Sequence, residues 1–135
     1  MRTLRFPRSA VPAPGQVRTV EAGGRRIGLV WLGGDLHGLA DACPHRGAPL
    51  CSAGTLVHRV ESDGRRVVRR EPADQLRCPW HKWDFDVRTG ACAEAPRMRV
   101  RRYRVWLEDD EIVVSLAPVR DRTPSVGSTG SGRAR

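Results

Sequence analysis

The sequence predicts an all-β protein. Many short segments alternate apolar and polar residues and are separated by Gly, Asp and Pro, a pattern typical of strands joined by tight turns. No segment has the apolar spacing of a strongly amphipathic helix. With 135 residues, 39% of them hydrophobic, the chain can bury one core. We therefore expect a single all-β domain over residues 1–117.

The first strands are predicted to form a hairpin. Residues 1–14 hold three prolines and are expected to be an irregular lead-in. Residues 17–21 and 25–32 flank an Ala-Gly-Gly turn, which favours a hairpin. Residues 36–40 follow a second Gly-Gly turn and are expected to continue the same sheet.

The last predicted strands lie near the end of the chain. Residues 99–108 and 111–116 flank Asp109-Asp110 and are expected to form a closing hairpin. Residues 118–135 are rich in Ser, Thr, Gly, Pro and Arg and offer few apolar groups for burial. This composition predicts a disordered basic tail.

Two short blocks between these strands carry the chemistry. They read Cys43-Pro-His45-Arg-Gly and Cys78-Pro-Trp-His81, so each supplies one thiolate and one imidazole two or three positions apart. Two tight loops of this kind could present two sulfurs and two nitrogens to one inorganic centre. A [2Fe-2S] cluster with two Cys on one iron and two His on the other uses this set, and so does a structural zinc site. Zinc fingers pair like ligands in each knuckle, whereas here each block mixes the two types, which favours the cluster.

The blocks extend into longer motifs that resemble a known family. The segments CPHRGAPL, starting at Cys43, and CPWHKWDFDVRTG, starting at Cys78, are similar to the two cluster loops of Rieske-type ferredoxins. Pro96 and the strand pair after it resemble the family's closing hairpin, so that the resemblance covers residues 15–116. It implies small antiparallel sheets with a cluster-binding subdomain at the tip, over residues 43–96.

The resemblance also implies the cofactor and its ligands. One Rieske [2Fe-2S] cluster is expected, with Cys43 and Cys78 on the buried iron and His45 and His81 on the outer, reducible iron. It implies a one-electron carrier rather than an enzyme, without catalytic residues or a small-molecule substrate.

Four positions depart from the respiratory members of the family. Ala48 and Trp80 stand where those proteins have the two cysteines of a loop-bridging disulfide, so no such bridge is expected. Trp83 and Phe85 stand where they place Ser and Tyr hydroxyls beside the cluster. Loss of two hydrogen-bond donors is expected to lower the reduction potential, because such bonds stabilise the more negative reduced state. This suits electron uptake from a flavin reductase rather than quinol oxidation.

A further departure is Lys82, where the family commonly has glycine after the second histidine. A glycine lets the backbone adopt a positive φ at little steric cost. The lysine predicts that a positive φ is not required here, or that the loop is rearranged. It also places a cation beside the expected cluster.

The two blocks are unusually far apart. Thirty-two residues separate His45 from Cys78, and the excess falls in residues 55–75. Alternating residues around an Asp-Gly turn predict an inserted β-hairpin. Because it joins the two loops, we expect it to project near the cluster.

The remaining His and Cys residues do not form a second site. His37 and His58 are expected to be structural. A full Rieske oxygenase subunit also needs a mononuclear iron held by two His and one carboxylate, with a large substrate domain, which a chain of 135 residues with two spare histidines is not expected to supply. Cys51 and Cys92 lack ligand spacing and are expected to be structural thiols. A disulfide between them stays open at this point, because connectivity cannot be read from sequence.

The formal net charge is +9, and Lys82 is the only lysine among 24 basic residues. Arginines concentrate in residues 65–70 and 97–104 and could steer an acidic redox partner. Aromatic residues make up only 5% of the chain, so nucleic-acid binding is not expected. No apolar run approaches 18 residues and no signal segment follows Met1, which predicts a cytoplasmic protein without membrane contact.

These observations predict a soluble ferredoxin that passes single electrons from a flavin reductase to an oxygenase. The alternatives are an accessory small subunit of a reductase, similar to that of nitrite reductases, and a structural zinc-binding module.

Overall fold

The structure is a computed structural model that describes residues 2–44, 47–62, 64–80, 82–95, 97–117 and 119. The strands within these ranges are β1 (Thr3–Pro7), β2 (Val17–Ala22), β3 (Arg25–Leu32), β4 (Asp35–Ala40), β5 (Thr55–Val57), β6 (Val60–Ser62), β7 (Val67–Arg69), β8 (Gln75–Arg77), β9 (Asp84–Asp86), β10 (Arg102–Glu108) and β11 (Glu111–Ser115). A 3₁₀ turn, Arg8–Ala10, follows β1. The all-β prediction is confirmed. Among the described residues, no helix is long and apolar enough to cross a membrane.

The base of the fold is a six-stranded antiparallel sheet in the order β1-β11-β10-β4-β3-β2. Successive side chains of β3 alternate between two cores, because side chains alternate across a strand. Ile27 and Leu29 join the side chains of β10 and β11, whereas Val30 and Leu32 join the core that also holds Cys43 and Cys78. The base sheet is therefore covered on both faces, and the cluster-loop region packs on one of them.

The first residues of the chain correct a sequence prediction. Residues 1–14 were expected to be irregular, but Thr3–Pro7 form the edge strand β1. This strand pairs with β11, and Leu4 lies opposite Val114. Pro7 is tolerated because an edge strand does not need every backbone donor. The partner strand lies more than one hundred residues away, so the local sequence could not show the pairing.

The closing hairpin of β10 and β11 confirms the prediction for this region. Asp109 and Asp110 both have positive φ, 53° and 63°, as the hairpin turn requires. The predicted tail, residues 118–135, lies outside the described residues except for Val119.

A three-stranded sheet, β5-β8-β9, carries the second cysteine. Thr55 pairs with Arg77, the last residue of β8, and Cys78 follows directly. Gly54 precedes β5, and a Cβ built on it would collide with the carbonyl oxygens of Leu50 and Arg77. Absence of a side chain at residue 54 therefore lets the end of the first loop approach the start of the second.

The two-stranded hairpin β6-β7 lies within the sequence insertion, with Val60 opposite Arg69. Val57 pairs with Gln75 at the end of the β5-β8 ladder remote from Cys78, and the hairpin begins there. That this hairpin projects near the cluster stays a prediction, because His45 and His81 lie outside the described residues.

Asp74 anchors the insertion to the rest of the domain. Its carboxylate is buried and accepts hydrogen bonds from Arg59 at 3.3 Å, Arg88 at 2.8 Å and the Gln75 side chain at 3.1 Å. Its carbonyl oxygen accepts a bond from the Val87 amide. Burial alone would raise the pKa of Asp74, but the bonds from Gln75, Arg88 and Arg59 outweigh it and lower the pKa.

Replacing Asp74 by Asn should lower the free energy of unfolding by about 1–3 kcal/mol at neutral pH, because two guanidinium groups lose the negative charge of their buried acceptor. The folded-state pKa lies below the unfolded value of about 4, so the carboxylate's contribution is complete above that pH. It is lost as the pH falls through the folded-state pKa. Urea unfolding at neutral and acid pH should show the difference between wild type and variant shrinking in acid.

Glu111→Gln provides the control for that experiment, since Glu111 pairs with Arg5 where both side chains are nearly half exposed. An exposed pair contributes little, so this variant should stay close to wild type. An equal loss in both variants, or a loss in Asp74→Asn that persists unchanged in acid, would contradict the anchoring role of Asp74.

Replacing Gly54 by Ala should destabilise the domain by about 3 kcal/mol or more, because the new methyl group meets two backbone carbonyls that cannot rotate away. Ala53→Ser, at an exposed position in the same turn, is the matched control. Thermal unfolding of both variants measures the effect, and a Gly54→Ala protein as stable as wild type would refute the close approach.

Candidate metal centre

The two blocks predicted from the sequence form loops with the same hydrogen-bonded frame. In the first, the Cys43 amide donates to the Ala48 carbonyl at 2.8 Å and the Gly47 amide donates to the Cys43 carbonyl at 2.6 Å. In the second, the Cys78 amide donates to the Trp83 carbonyl at 2.8 Å and the Lys82 amide donates to the Cys78 carbonyl at 3.0 Å. Each cysteine thus bonds to the residues four and five positions after it.

Both cysteines are buried in the core between the small sheet and the base sheet. Cys43 is 2% exposed and Cys78 is fully buried, and both belong to one cluster of packed side chains. Neither forms a disulfide. The predicted partners His45 and His81 lie outside the described residues, so the structure brings the two cysteine loops together and leaves the histidines as predictions.

Lys82 corrects the prediction for the second loop. Its φ is +58°, and the equivalent residue of the first loop, Gly47, has φ +76°. The positive φ is therefore retained, because the amide of this residue must turn back towards the cysteine carbonyl. A side chain in this conformation costs about 1–2 kcal/mol, which a glycine would avoid.

The aromatic residues of the second loop have different surroundings. Phe85 is fully buried in the cysteine core, and Trp83 packs against that core while its carbonyl accepts the Cys78 amide. Trp80, two residues after Cys78, is 55% exposed. On the strand before the loop, Arg77 holds the carboxylate of Asp84 with two bonds of 2.7 and 3.1 Å. This pair fixes β8 to β9 next to the cysteine.

Asp41 is a positioning residue that the sequence argument missed. One carboxylate oxygen accepts the amides of Cys51 and Ser52 at 2.6 and 2.9 Å, and the other accepts the Ser52 hydroxyl at 2.8 Å. The side chain is 1% exposed, with Arg26 at 3.9 Å. Asp41 thereby ties the approach to the first loop to its exit. An Asp two residues before Cys43 was a visible but nonspecific signal.

Cys51 and Cys92 are buried thiols without a disulfide between them. Cys51 lies over Gly28, where an added Cβ would collide with it, and burial together with the nearby Asp41 raises its pKa strongly. Burial also raises the pKa of Cys92. In the described part of the chain, no three His, Cys, Asp or Glu side chains come together as a possible metal site. The two remaining cysteines therefore do not extend the donor set of Cys43 and Cys78 within those residues.

The two described histidines lie in ordinary structural surroundings. The His37 side chain is on β4, and burial, followed by the charge of Arg88, lowers its pKa. The His58 ring lies at the base of the inserted hairpin, with Nδ1 3.0 Å from the Arg70 carbonyl and 3.5 Å from the Glu71 carboxylate.

Several arginines before and within β10 make structural contacts. Arg99 and Arg102 donate to the carbonyls of Thr89 and Arg88, and so brace the turn after β9. The guanidinium of Arg101 lies 5.0 Å from the centre of the Tyr103 ring. Arg99, Arg101 and Arg102 therefore make local structural contacts in addition to carrying positive charge.

Comparisons with known sequences identify the family. The model of the Rieske [2Fe-2S] domain matches residues 4–106. Apoptosis-inducing factor 3 of Mus musculus and of Homo sapiens are 34% and 35% identical over 101 residues, 74% of this chain. The chain spans 14% of the length of these curated relatives.

Solved structures show the same fold. The ferredoxin of carbazole 1,9a-dioxygenase from Nocardioides aromaticivorans IC177 is 25% identical with a TM-score of 0.64, over 85% of this chain and 98% of the ferredoxin. A complex of oxygenase and ferredoxin in carbazole 1,9a-dioxygenase also matches at 25% identity, with a TM-score of 0.66, 87% of this chain and 96% of the other.

A Mycobacterium tuberculosis protein described as an NADH-dependent nitrite reductase small subunit matches at 22% identity. Its TM-score is 0.62, over 88% of this chain and all of the other. This likeness extends the fold to a second class of protein. The match of the family model over most of the chain, together with the paired cysteine loops, shows that this chain belongs to the Rieske [2Fe-2S] domain family.

Proposed function

We propose that this chain is a one-electron carrier in which Cys43 and Cys78 hold one iron of the cluster and His45 and His81 hold the other. Its cofactor is one Rieske-type [2Fe-2S] cluster. The single observation that carries the assignment is the shared frame of the two loops, which gives Cys43 and Cys78 equivalent backbone positions in one buried core.

The residues present fit this group. A Rieske cluster needs two thiolates that lie close together in a dry environment and two imidazoles towards solvent. The two cysteines are buried in one core, as the first need requires, and the sequence places a histidine two residues after one and three residues after the other. The bound cluster would supply reversible one-electron chemistry, while the two hydrogen-bonded loops hold the ligands rigid.

The partners we propose are a flavin reductase as donor and a terminal oxygenase as acceptor. The ferredoxins that this chain resembles belong to carbazole 1,9a-dioxygenase, and one was solved in complex with its oxygenase. A net charge of +9 favours partners with acidic docking surfaces. We propose a cytoplasmic site of action, with neither nucleic acid nor a small-molecule substrate as a ligand.

The second candidate function is an accessory subunit of a reductase, which the likeness to the nitrite reductase small subunit supports at the level of the fold. Retention of both cysteines and both histidines favours the carrier, because a purely accessory subunit has no need of the donor set. A structural zinc site would use the same donors, so metal content separates it from the other two functions.

The purified protein should contain two irons and no zinc per chain, and after reduction with dithionite it should give an EPR spectrum of the Rieske type. Mixed Cys and His ligation gives this spectrum a lower average g value than that of an all-cysteine cluster. Metal analysis and EPR on one sample provide the measurement. Stoichiometric zinc with no EPR signal would refute electron transfer.

Cys43→Ser and Cys78→Ser should each lose nearly all of the cluster, because a thiolate that holds the buried iron is removed. Cys51→Ser and Cys92→Ser are matched controls, since these thiols are equally buried in the same core.

His45→Ala and His81→Ala should lose the Rieske signal, because each removes a proposed ligand of the outer iron, whereas His58→Ala should keep it. Iron content and visible absorption per chain measure the outcome, and a cluster that survives Cys78→Ser would overturn the ligand assignment.

A further inference from the structure

The clearest departure from expected backbone geometry near the proposed cluster is Lys82. It occupies the left-handed position of the second loop that Gly47 occupies in the first. At Gly47, an added Cβ would meet no atom within 4 Å among the described residues, its chain neighbours aside, so the positive φ is the reason for glycine there. The second loop has the same backbone requirement but carries a long charged side chain.

A strained residue persists where the surrounding structure imposes the conformation, and such positions concentrate at functional sites. Two hydrogen bonds impose the conformation here. The Lys82 amide donates to the Cys78 carbonyl, and the Cys78 amide donates to the Trp83 carbonyl. Glycine would satisfy both bonds without strain. The side chain of Lys82 therefore calls for an explanation that the backbone does not supply.

The positive charge of the Lys82 side chain is what distinguishes it from a glycine at this position. Lys82 is the only lysine among 24 basic residues, and it is exposed. Its amide nitrogen lies 3.0 Å from the carbonyl oxygen of Cys78, so its charge is carried by the loop that holds a proposed iron ligand. Reduction makes the cluster one unit more negative, and a nearby cation stabilises the reduced state more than the oxidised state.

We propose that Lys82 acts on the cluster through its charge. Its ammonium group, carried by the left-handed turn of the second loop, raises the reduction potential of the cluster. The proposal rests on the proposed function, because it assumes a cluster bound at Cys78. The charge opposes the absence of hydroxyl donors at Trp83 and Phe85, and so keeps the carrier reducible by its donor.

The test compares the reduction potentials of cluster-loaded wild type, Lys82→Gln, Lys82→Arg and Lys82→Gly. Lys82→Gln and Lys82→Gly remove the charge and should shift the potential to a lower value by similar amounts. Lys82→Arg keeps the charge and should restore the wild-type value. The shift should shrink between about 0.05 M and about 1 M salt, since the Debye length falls from above 10 Å to about 3 Å.

Arg8→Gln is the matched control for removal of one positive charge. Arg8 is exposed and pairs at 3.9 Å with Asp110, in the turn between β10 and β11. β10 begins beside Leu39, near the point where β4 leads to the first loop, and ends at this turn. Arg8 therefore lies at the opposite end of the sheet from the cysteines, and its loss should leave the potential unchanged.

Stability separates the charge from a merely structural role. Lys82→Gly should raise the thermal midpoint because it removes the strain, whereas Lys82→Gln keeps the strain and should not. If Lys82 acted only on the backbone, Lys82→Gly would change stability while both uncharged variants kept the wild-type potential, and the proposal would be overturned. Potentials of Lys82→Gln and Arg8→Gln that fall equally would overturn it as well. A wild-type protein without a Rieske EPR signal would instead refute the proposed function itself.

Discussion

The arrangement on which the rest of this structure depends is the hydrogen-bonded frame that each cysteine makes with the residues four and five positions after it. The frame closes both loops with the same two bonds and turns each chain back on itself at a left-handed residue. A loop closed in this way holds its cysteine with little freedom. Two such loops packed in one core can therefore keep a metal centre in nearly the same geometry in both of its oxidation states.

The remaining architecture fixes these loops against each other. Asp41 ties the approach to the first loop to its exit, and Gly54 lets that exit contact the strand leading into the second. Arg77 and Asp84 then fasten this strand to β9. The base sheet contributes one apolar face, on which both cysteines are buried. These contacts together hold the two loops, and with them the thiols of Cys43 and Cys78, in fixed positions.

The inserted hairpin, β6-β7, is not one of the elements described above as fixing the cysteine loops. It leaves the small sheet at the end remote from Cys78, and Val60, Val67 and Val68 on its two strands are more than 40% exposed. Arg59 at its base binds the carboxylate of Asp74, which also binds Arg88 in the turn after β9. The insertion therefore lengthens the chain between the cysteine loops without altering the frame of either loop.

The sequence by itself determined the all-β class, most of the strands and the candidate donor set, because each depends on local signals: alternation, Gly and Asp turns, and the two Cys-Pro blocks. It did not determine the pairing of β1 with β11, which depends on a partner at the far end of the chain. Nor did it determine the position of the hairpin or the roles of Asp41 and Gly54, which arise where distant segments meet. At residue 82, a lysine argued against a positive φ, but the structure has one. The hydrogen bond that closes the loop on the Cys78 carbonyl requires this backbone conformation, whichever side chain residue 82 carries.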